Sequence, residues 1–212
     1  MLALTALIFA LWQTPVALPL KLLVVLLHEV SHGLAALATG GSIESLTVTP
    51  DQGGLAVTRG GNRFAILTAG YLGSLVLGLT IFAAALGSAA DRLVLGILGG
   101  VILGIAAFYI RDGFALWFCL AAAGLMLAGA RFLPRVAADL VLRVIGLASM
   151  IYVPFDIVSD TILRAGLASD AHMLAQEFGG ATMLWGGLWL AISLAVIGVS
   201  LRILARRESN LA

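Results

Sequence analysis

Long apolar runs separated by short polar breaks dominate the 212-residue chain. A helix that crosses a bilayer needs about 20 predominantly apolar residues. The runs that meet this length predict spanning helices at about 18–39, 64–86, 92–110, 113–130, 136–165 and 181–204. A shorter run at residues 2–13 precedes Pro15 and Pro19 and predicts a short first helix or a bent lead-in. We therefore expect an all-α polytopic membrane protein with about six or seven transmembrane helices.

Residues 43–58 break this pattern, because apolar residues there alternate with Ser, Thr and Glu around a turn cluster at residues 50–54. Such alternation around a turn predicts a short β-hairpin. The hairpin is either an ordinary surface feature or a strand edge that an extended peptide could join by main-chain pairing. A second polar segment, the connector at about 165–180, contains Ser169-Asp170 as a predicted helix start.

Composition agrees with a membrane-embedded chain, since 61% of the residues are hydrophobic and 11% are charged. The spans use most of the length, so residues 1–212 are expected to form a single membrane-embedded domain in the lipid bilayer. The net charge of +1 gives no indication of a nucleic-acid partner. Arg202 lies at the end of the last apolar run and Arg206 and Arg207 follow it, and together they predict a cytoplasmic C-terminus.

The sequence His28-Glu29-Val30-Ser31-His32 lies inside the first long apolar run. Residues four apart share one helix face, so the two imidazoles can bind one metal ion. Glu29 lies beside them and can act as a general base on a water molecule that the metal activates. Ionisable groups in hydrocarbon are costly and call for a functional explanation. The alternatives are a polar seam between packed helices and a metal site without catalysis.

Two histidines do not complete a catalytic zinc site, which has three protein ligands and an open position. Asp156 is the first candidate for the third ligand, because it follows an apolar helix and lies beside the proline bend at Pro154. Asp160, on the same helix face, is the alternative ligand or a group that orients one. Asp170 is a weaker candidate, because helix capping explains it adequately.

Other polar and small residues have predicted structural roles. Asp139 and Arg143 are spaced for an ion pair on one helix, and Asp91 is expected to be balanced by the adjacent Arg92. Small residues at every fourth position let membrane helices approach closely. They recur in two spans, as Gly70-Ser74-Gly78 and as Gly96-Gly100-Gly104.

These features together resemble the intramembrane zinc metalloproteases of the site-two protease type, in particular their small bacterial branch. The resemblance is carried by the motif helix, the hairpin after it, and Leu67-Thr68-Ala69-Gly70-Tyr71-Leu72-Gly73 at the start of the next span. It implies cleavage of membrane-spanning protein substrates, with Zn²⁺ as the cofactor and a bacterial inner membrane as the location. By order along the chain, the family's distant metal-binding aspartate would be Asp156.

The expected function is a zinc-dependent intramembrane endopeptidase, with His28, His32 and Asp156 as metal ligands and Glu29 as the catalytic base. The alternative is a non-proteolytic membrane zinc-binding protein, which would act in transport or storage or as a degenerate scaffold. The spans at about 64–86 and 92–130 contain few ionisable groups, which argues against a conduction path for metal ions.

Overall fold

The computed structural model describes residues 2–163 and 168–204, which form eight α-helices and one two-stranded β-sheet. The elements in chain order are α1 Leu2–Leu11, α2 Leu18–Ala38, β1 Ser42–Val48, β2 Gly54–Arg59, α3 Arg63–Gly87, α4 Asp91–Tyr109, α5 Gly113–Phe132, α6 Arg135–Val158, α7 Asp170–Phe178 and α8 Thr182–Leu204. A 3₁₀ turn at Pro15–Ala17 precedes α2, and a π-helical segment at Ser159–Leu163 continues α6.

Six helices in this part of the chain are long and apolar enough to cross a membrane. They are Pro15–Ala38, Arg63–Gly87, Asp91–Tyr109, Gly113–Phe132, Arg135–Ile162 and Thr182–Ile203. The predicted fold class is therefore confirmed, including the hairpin after the motif helix and the short first helix. Arg206 and Arg207, two of the residues behind the predicted orientation, lie outside the described residues, so the cytoplasmic C-terminus stays a prediction.

Helices α3 and α6 touch through their backbones where two glycines meet. A Cβ atom at Gly146 would lie 2.7 Å from the backbone nitrogen of Phe82 and 2.8 Å from the carbonyl oxygen of Gly78. No side chain larger than hydrogen fits there, so the small residues set the spacing of the two helices. The predicted packing role of the stripe in α3 is confirmed at Gly78.

The stripe in α4 behaves differently from the prediction. A Cβ atom at Gly100 or Gly104 would meet no atom within 4 Å, whereas one at Gly99 would lie 3.0 Å from the Cβ of Met126 in α5. The prediction of a packing role was wrong for Gly100 and Gly104, because α4 turns the neighbouring face of the helix toward α5.

Two ion pairs, each with a buried carboxylate, lie near the starts of α4 and α6. Arg143 Nε lies 2.8 Å from Asp139 Oδ2, which confirms the predicted pair within α6. Asp91 is fully buried and lies 3.0 Å from Arg135 Nε of α6. The expectation that Arg92 balances Asp91 was wrong, since Arg92 donates instead to the carbonyl of Ala130.

The hairpin packs against the second half of the motif helix. Strand β1 faces α2 with its buried residues Leu46 and Val48, and a Cβ atom at Gly33 of α2 would lie 2.6 Å from Ile43. Strand β2 pairs with β1 in antiparallel register and has no second neighbouring strand among the described residues. One edge of β2 is therefore available beside α2.

The polar connector folds back into the bundle as α7. Ser169 caps this helix by accepting a hydrogen bond from the His172 backbone N–H, which confirms the predicted helix start. Ala171 and Leu174 are fully buried. Their burial draws the first turn of α7 toward α3 and the motif helix.

Candidate metal centre and active site

His28 and His32 lie one turn apart on α2 with their rings 4.9 Å apart and 74° from parallel. The Nδ1 atom of His32 lies 2.6 Å from the carbonyl oxygen of Ile66 in α3. A carbonyl only accepts, so Nδ1 carries a proton, and Nε2 is the nitrogen that faces Asp170 and could bind a metal ion. This contact fixes the ring orientation and tautomer in the way that outer-shell carbonyls fix metal-binding histidines.

Asp170 is the acidic residue that lies against both imidazoles. Its Oδ2 atom is 3.1 Å from His28 Nε2 and 3.2 Å from His32 Nε2. Burial alone would raise the pKa of the Asp170 carboxyl, but the imidazoles of His32 and His28 outweigh burial and hold that pKa below its usual range. The carboxylate is therefore in the anionic form that a metal ion requires.

The three groups have the donor set and spacing of a zinc site. One ligand atom from each of His28, His32 and Asp170 lies within 4.8 Å of the other two. Bonds of about 2.0–2.1 Å in a tetrahedral zinc site place ligand atoms about 3.3 Å apart. The observed separations of 3.1 and 3.2 Å are close to that value. Two imidazoles and one carboxylate also leave a fourth position open for chemistry.

Gly70 of α3 forms the floor of this cluster. A Cβ atom there would lie 2.5 Å from Asp170 Oδ2 and 2.6 Å from His32 Cε1, and it would also overlap His28 Nε2. The glycine is therefore required at this position for space rather than for backbone freedom. The stripe of small residues in α3 thus has a second role at its first member, which packing alone does not explain.

Gly70→Ala is expected to weaken zinc binding at least about tenfold, because the added methyl group separates the ligands, and displaced ligand geometry typically costs 10–100-fold in affinity. Zinc affinity measured by competition with a chelator checks this. Gly104→Ala is the matched control, since its methyl group would meet nothing within 4 Å. Equal zinc affinity of Gly70→Ala and the wild type would contradict the assigned position of the metal.

Asp156 and Asp160 line the same cavity as the histidines but do not belong to the three-ligand cluster. Asp160 instead accepts a hydrogen bond from the hydroxyl of Tyr71 at 2.7 Å. The Tyr71 ring packs edge-on against His28, with centroids 4.9 Å apart. Asp160 is therefore linked to His28 through Tyr71, and its expected role of orienting a ligand stays a prediction. Among the described residues, the three-ligand cluster contains Asp170 and not Asp156, so Asp170 is the carboxylate that the geometry favours, and the identity of the third ligand stays a prediction.

The sequence contained a signal for Asp170 that the ligand prediction did not use. Asp170 precedes Leu174 by one helical turn, so both lie on one face of α7, and both are buried. A carboxylate on the apolar face of an amphipathic helix needs a partner. Helix capping explains a polar first turn, but it does not explain a buried one.

Glu29 lies between the histidine pair and the hairpin, and only 6% of it is exposed. A Cβ atom at Gly54 of β2 would lie 2.7 Å from Glu29 Cδ. The carboxylate also interacts with the backbone of Ala56. The glycine at the start of β2 therefore lets this side chain lie flat against the strand.

A cavity of about 310 Å³ joins these groups. Residues 52–56, at the start of β2, form one wall, while α2, α3, α6 and α7 form the rest. A second cavity of about 400 Å³ shares Gln52, Tyr152 and Asp156 with it and extends to α1. Both cavities are large compared with the roughly 30 Å³ that one water molecule occupies, so there is room for water beside the imidazole pair.

Comparison with known protein families identifies the family of the chain. The sequence model described as Peptidase M50B-like matches residues 1–200, a range that includes the motif, the hairpin and Asp170. The chain belongs to the Peptidase M50B-like family. This is a site-two protease family, so the resemblance to that type of protease is confirmed, while the small bacterial branch stays a prediction. No curated protein and no solved structure matches the chain. Membership in the M50B-like family indicates a membrane-embedded peptidase.

Proposed function

We propose that this protein is a zinc-dependent intramembrane endopeptidase that cleaves membrane-spanning protein substrates. The observation that carries the proposal is the cluster of His28, His32 and Asp170, with Glu29 beside it, in one cavity among the spanning helices. The proposal keeps the expected class of enzyme and replaces Asp156 with Asp170 as the third ligand.

The residues divide the chemistry among themselves. His28, His32 and Asp170 would hold the zinc ion. When bound, zinc supplies Lewis-acid chemistry, polarising the scissile carbonyl and lowering the pKa of a water molecule. Glu29 takes the proton of the attacking water and passes it to the nitrogen of the leaving amine. The contacts of Glu29 with β2 hold its carboxylate in place before the substrate arrives.

The substrate must present an unwound segment, because the peptide carbonyls of a helix are already hydrogen-bonded within it. The available edge of β2 can pair with such a segment, and residues 54–56 of this strand line the cavity next to Glu29. Peptide substrates with N-methyl groups at single positions test this role. Methylation at alternate positions is expected to block cleavage, since alternate N–H groups face a paired strand. An equal response at every position would argue against strand pairing.

Reconstitution tests the function as a whole. Purified protein in liposomes is expected to cut a transmembrane substrate within its spanning segment, and a zinc chelator is expected to abolish cleavage until zinc is restored. Mass spectrometry of the products locates the cut. Cleavage that survives complete removal of metal, or cuts confined to loops outside the bilayer, would refute the proposal.

A further inference from the structure

The third ligand reaches the metal centre on a helix that does not span the membrane. Helix α7 has nine residues, from Asp170 to Phe178, and lies outside the six candidate spans. Isolated helices shorter than about 12–15 residues are marginal in water. The position of Asp170 therefore depends on what holds α7 against the rest of the protein.

The far end of α7 is held by the first two residues of α3. Arg63 Nε lies 3.0 and 3.2 Å from the two carboxylate oxygens of Glu177, and Arg63 Nη2 lies 3.5 Å from Met173 Sδ. The rings of Phe64 and Phe178 meet edge to face at 5.4 Å. We refer to Arg63, Phe64, Glu177 and Phe178 as the α7 clamp.

The clamp contacts the C-terminal end of α7, whereas Asp170 of the metal cluster lies at its N-terminal end. Residues 170 and 177 are about 10 Å apart along the axis at 1.5 Å per residue. Between these two ends, Ala171 and Leu174 are buried and pack α7 against the rest of the helix bundle. The clamp is also tied to the floor of the metal site, because Arg63 and Phe64 begin the helix that carries Gly70.

We propose that the α7 clamp positions Asp170 for metal binding, so that the affinity of the site for zinc is set in part by four residues that do not touch the ion. The proposal rests on the metal centre described above, but it does not require that the protein be a peptidase. Exposed ion pairs contribute little to global stability. The expected signature is a change in zinc affinity with little change in unfolding temperature.

Zinc affinity of the full-length protein in detergent, measured by competition with a chromophoric chelator, tests the proposal. All variants are made in a Glu29→Gln background, so that no self-cleavage contributes. Glu177→Ala is expected to weaken zinc binding about threefold, within the contribution of an exposed ion pair. Phe178→Ala is expected to weaken it about tenfold, because an aromatic pair and its apolar contact are lost. Glu177 is the better partner of the ion pair to remove, because Arg63 also lines the cavity.

A charge exchange and a matched control make the result specific. The double variant Arg63→Glu with Glu177→Arg is expected to bind zinc as tightly as the starting protein, since the pair is restored in reverse. Arg59→Ala removes the same kind of residue from an exposed pair with Glu44 on the hairpin, and it is expected to leave zinc affinity unchanged. Such double exchanges isolate the interaction from the loss of each charge.

Unchanged zinc affinity in both Glu177→Ala and Phe178→Ala would overturn the clamp, as would an equal loss in Arg59→Ala. Failure of the clamp is separable from failure of the proposed function. If zinc affinity is unchanged in the clamp variants but is lost when His28 is replaced, only the clamp is refuted. Clamp-dependent zinc binding in a protein whose wild type cuts no substrate would refute only the peptidase.

Discussion

Glu29→Gln is expected to lower the cleavage rate by about 10²–10⁴-fold, the usual contribution of a positioned general base, while zinc binding is retained. Glutamine has the size of glutamate and fits the same space beside Gly54, but its amide cannot take a proton from water. The cleavage rate of a reconstituted transmembrane substrate and the zinc content of the same preparation check the two halves of this prediction.

Glu44→Gln provides the control for this substitution, because Glu44 is an exposed residue of the hairpin that pairs with Arg59. It should cleave at the wild-type rate. The result also separates the competing functions, since a zinc transporter or a scaffold would keep working without the base. A Glu29→Gln protein that cleaves at the wild-type rate would exclude the proposed role of Glu29.

Asp170→Ala is expected to strip zinc from the purified protein, with a loss of affinity beyond the 10–100-fold that outer-shell substitutions cause. The reason is direct, because Asp170 is the carboxylate within 3.2 Å of both histidine Nε2 atoms. Two imidazoles that remain alone do not complete a zinc site. Metal content by elemental analysis and affinity by chelator competition measure the effect.

Asp156→Ala and Asp160→Asn are the matched comparisons, since both residues line the same cavity without joining the cluster. Both variants should retain zinc. Asp160→Asn should lower the cleavage rate modestly. It replaces the carboxylate that accepts the Tyr71 hydroxyl with a neutral amide, and the Tyr71 ring packs against His28. If Asp156→Ala loses zinc and Asp170→Ala keeps it, the ligand assignment made from the geometry is wrong.

The fold was largely predictable because its elements depend on local pattern. Apolar runs of spanning length and the alternation at residues 43–58 each identify an element without reference to the rest of the chain. The direction that a helix face takes is not local. For this reason Gly100 and Gly104 were assigned to packing, while α4 meets α5 at Gly99.

The part of the candidate site that lies on a single helix was predictable from the sequence. His28, Glu29 and His32 lie within a single turn, so their proximity follows from helix geometry alone. The carboxylate that lies against the two histidines comes from a segment far along the chain, and its approach depends on how α7 packs against α3. Asp156 was favoured because it lies on an apolar span beside a proline. That reasoning did not consider that a short polar connector could fold back over the bundle.

The pair formed by His28 and Asp170 joins positions 142 residues apart in the sequence. An ion bound between them would act as a removable cross-link, because it closes a long loop that the unfolded chain would otherwise leave open. Depleting zinc should then loosen the attachment of the C-terminal helices to the motif helix as well as halt catalysis. The same ion would then take part in catalysis and hold two distant parts of the chain together.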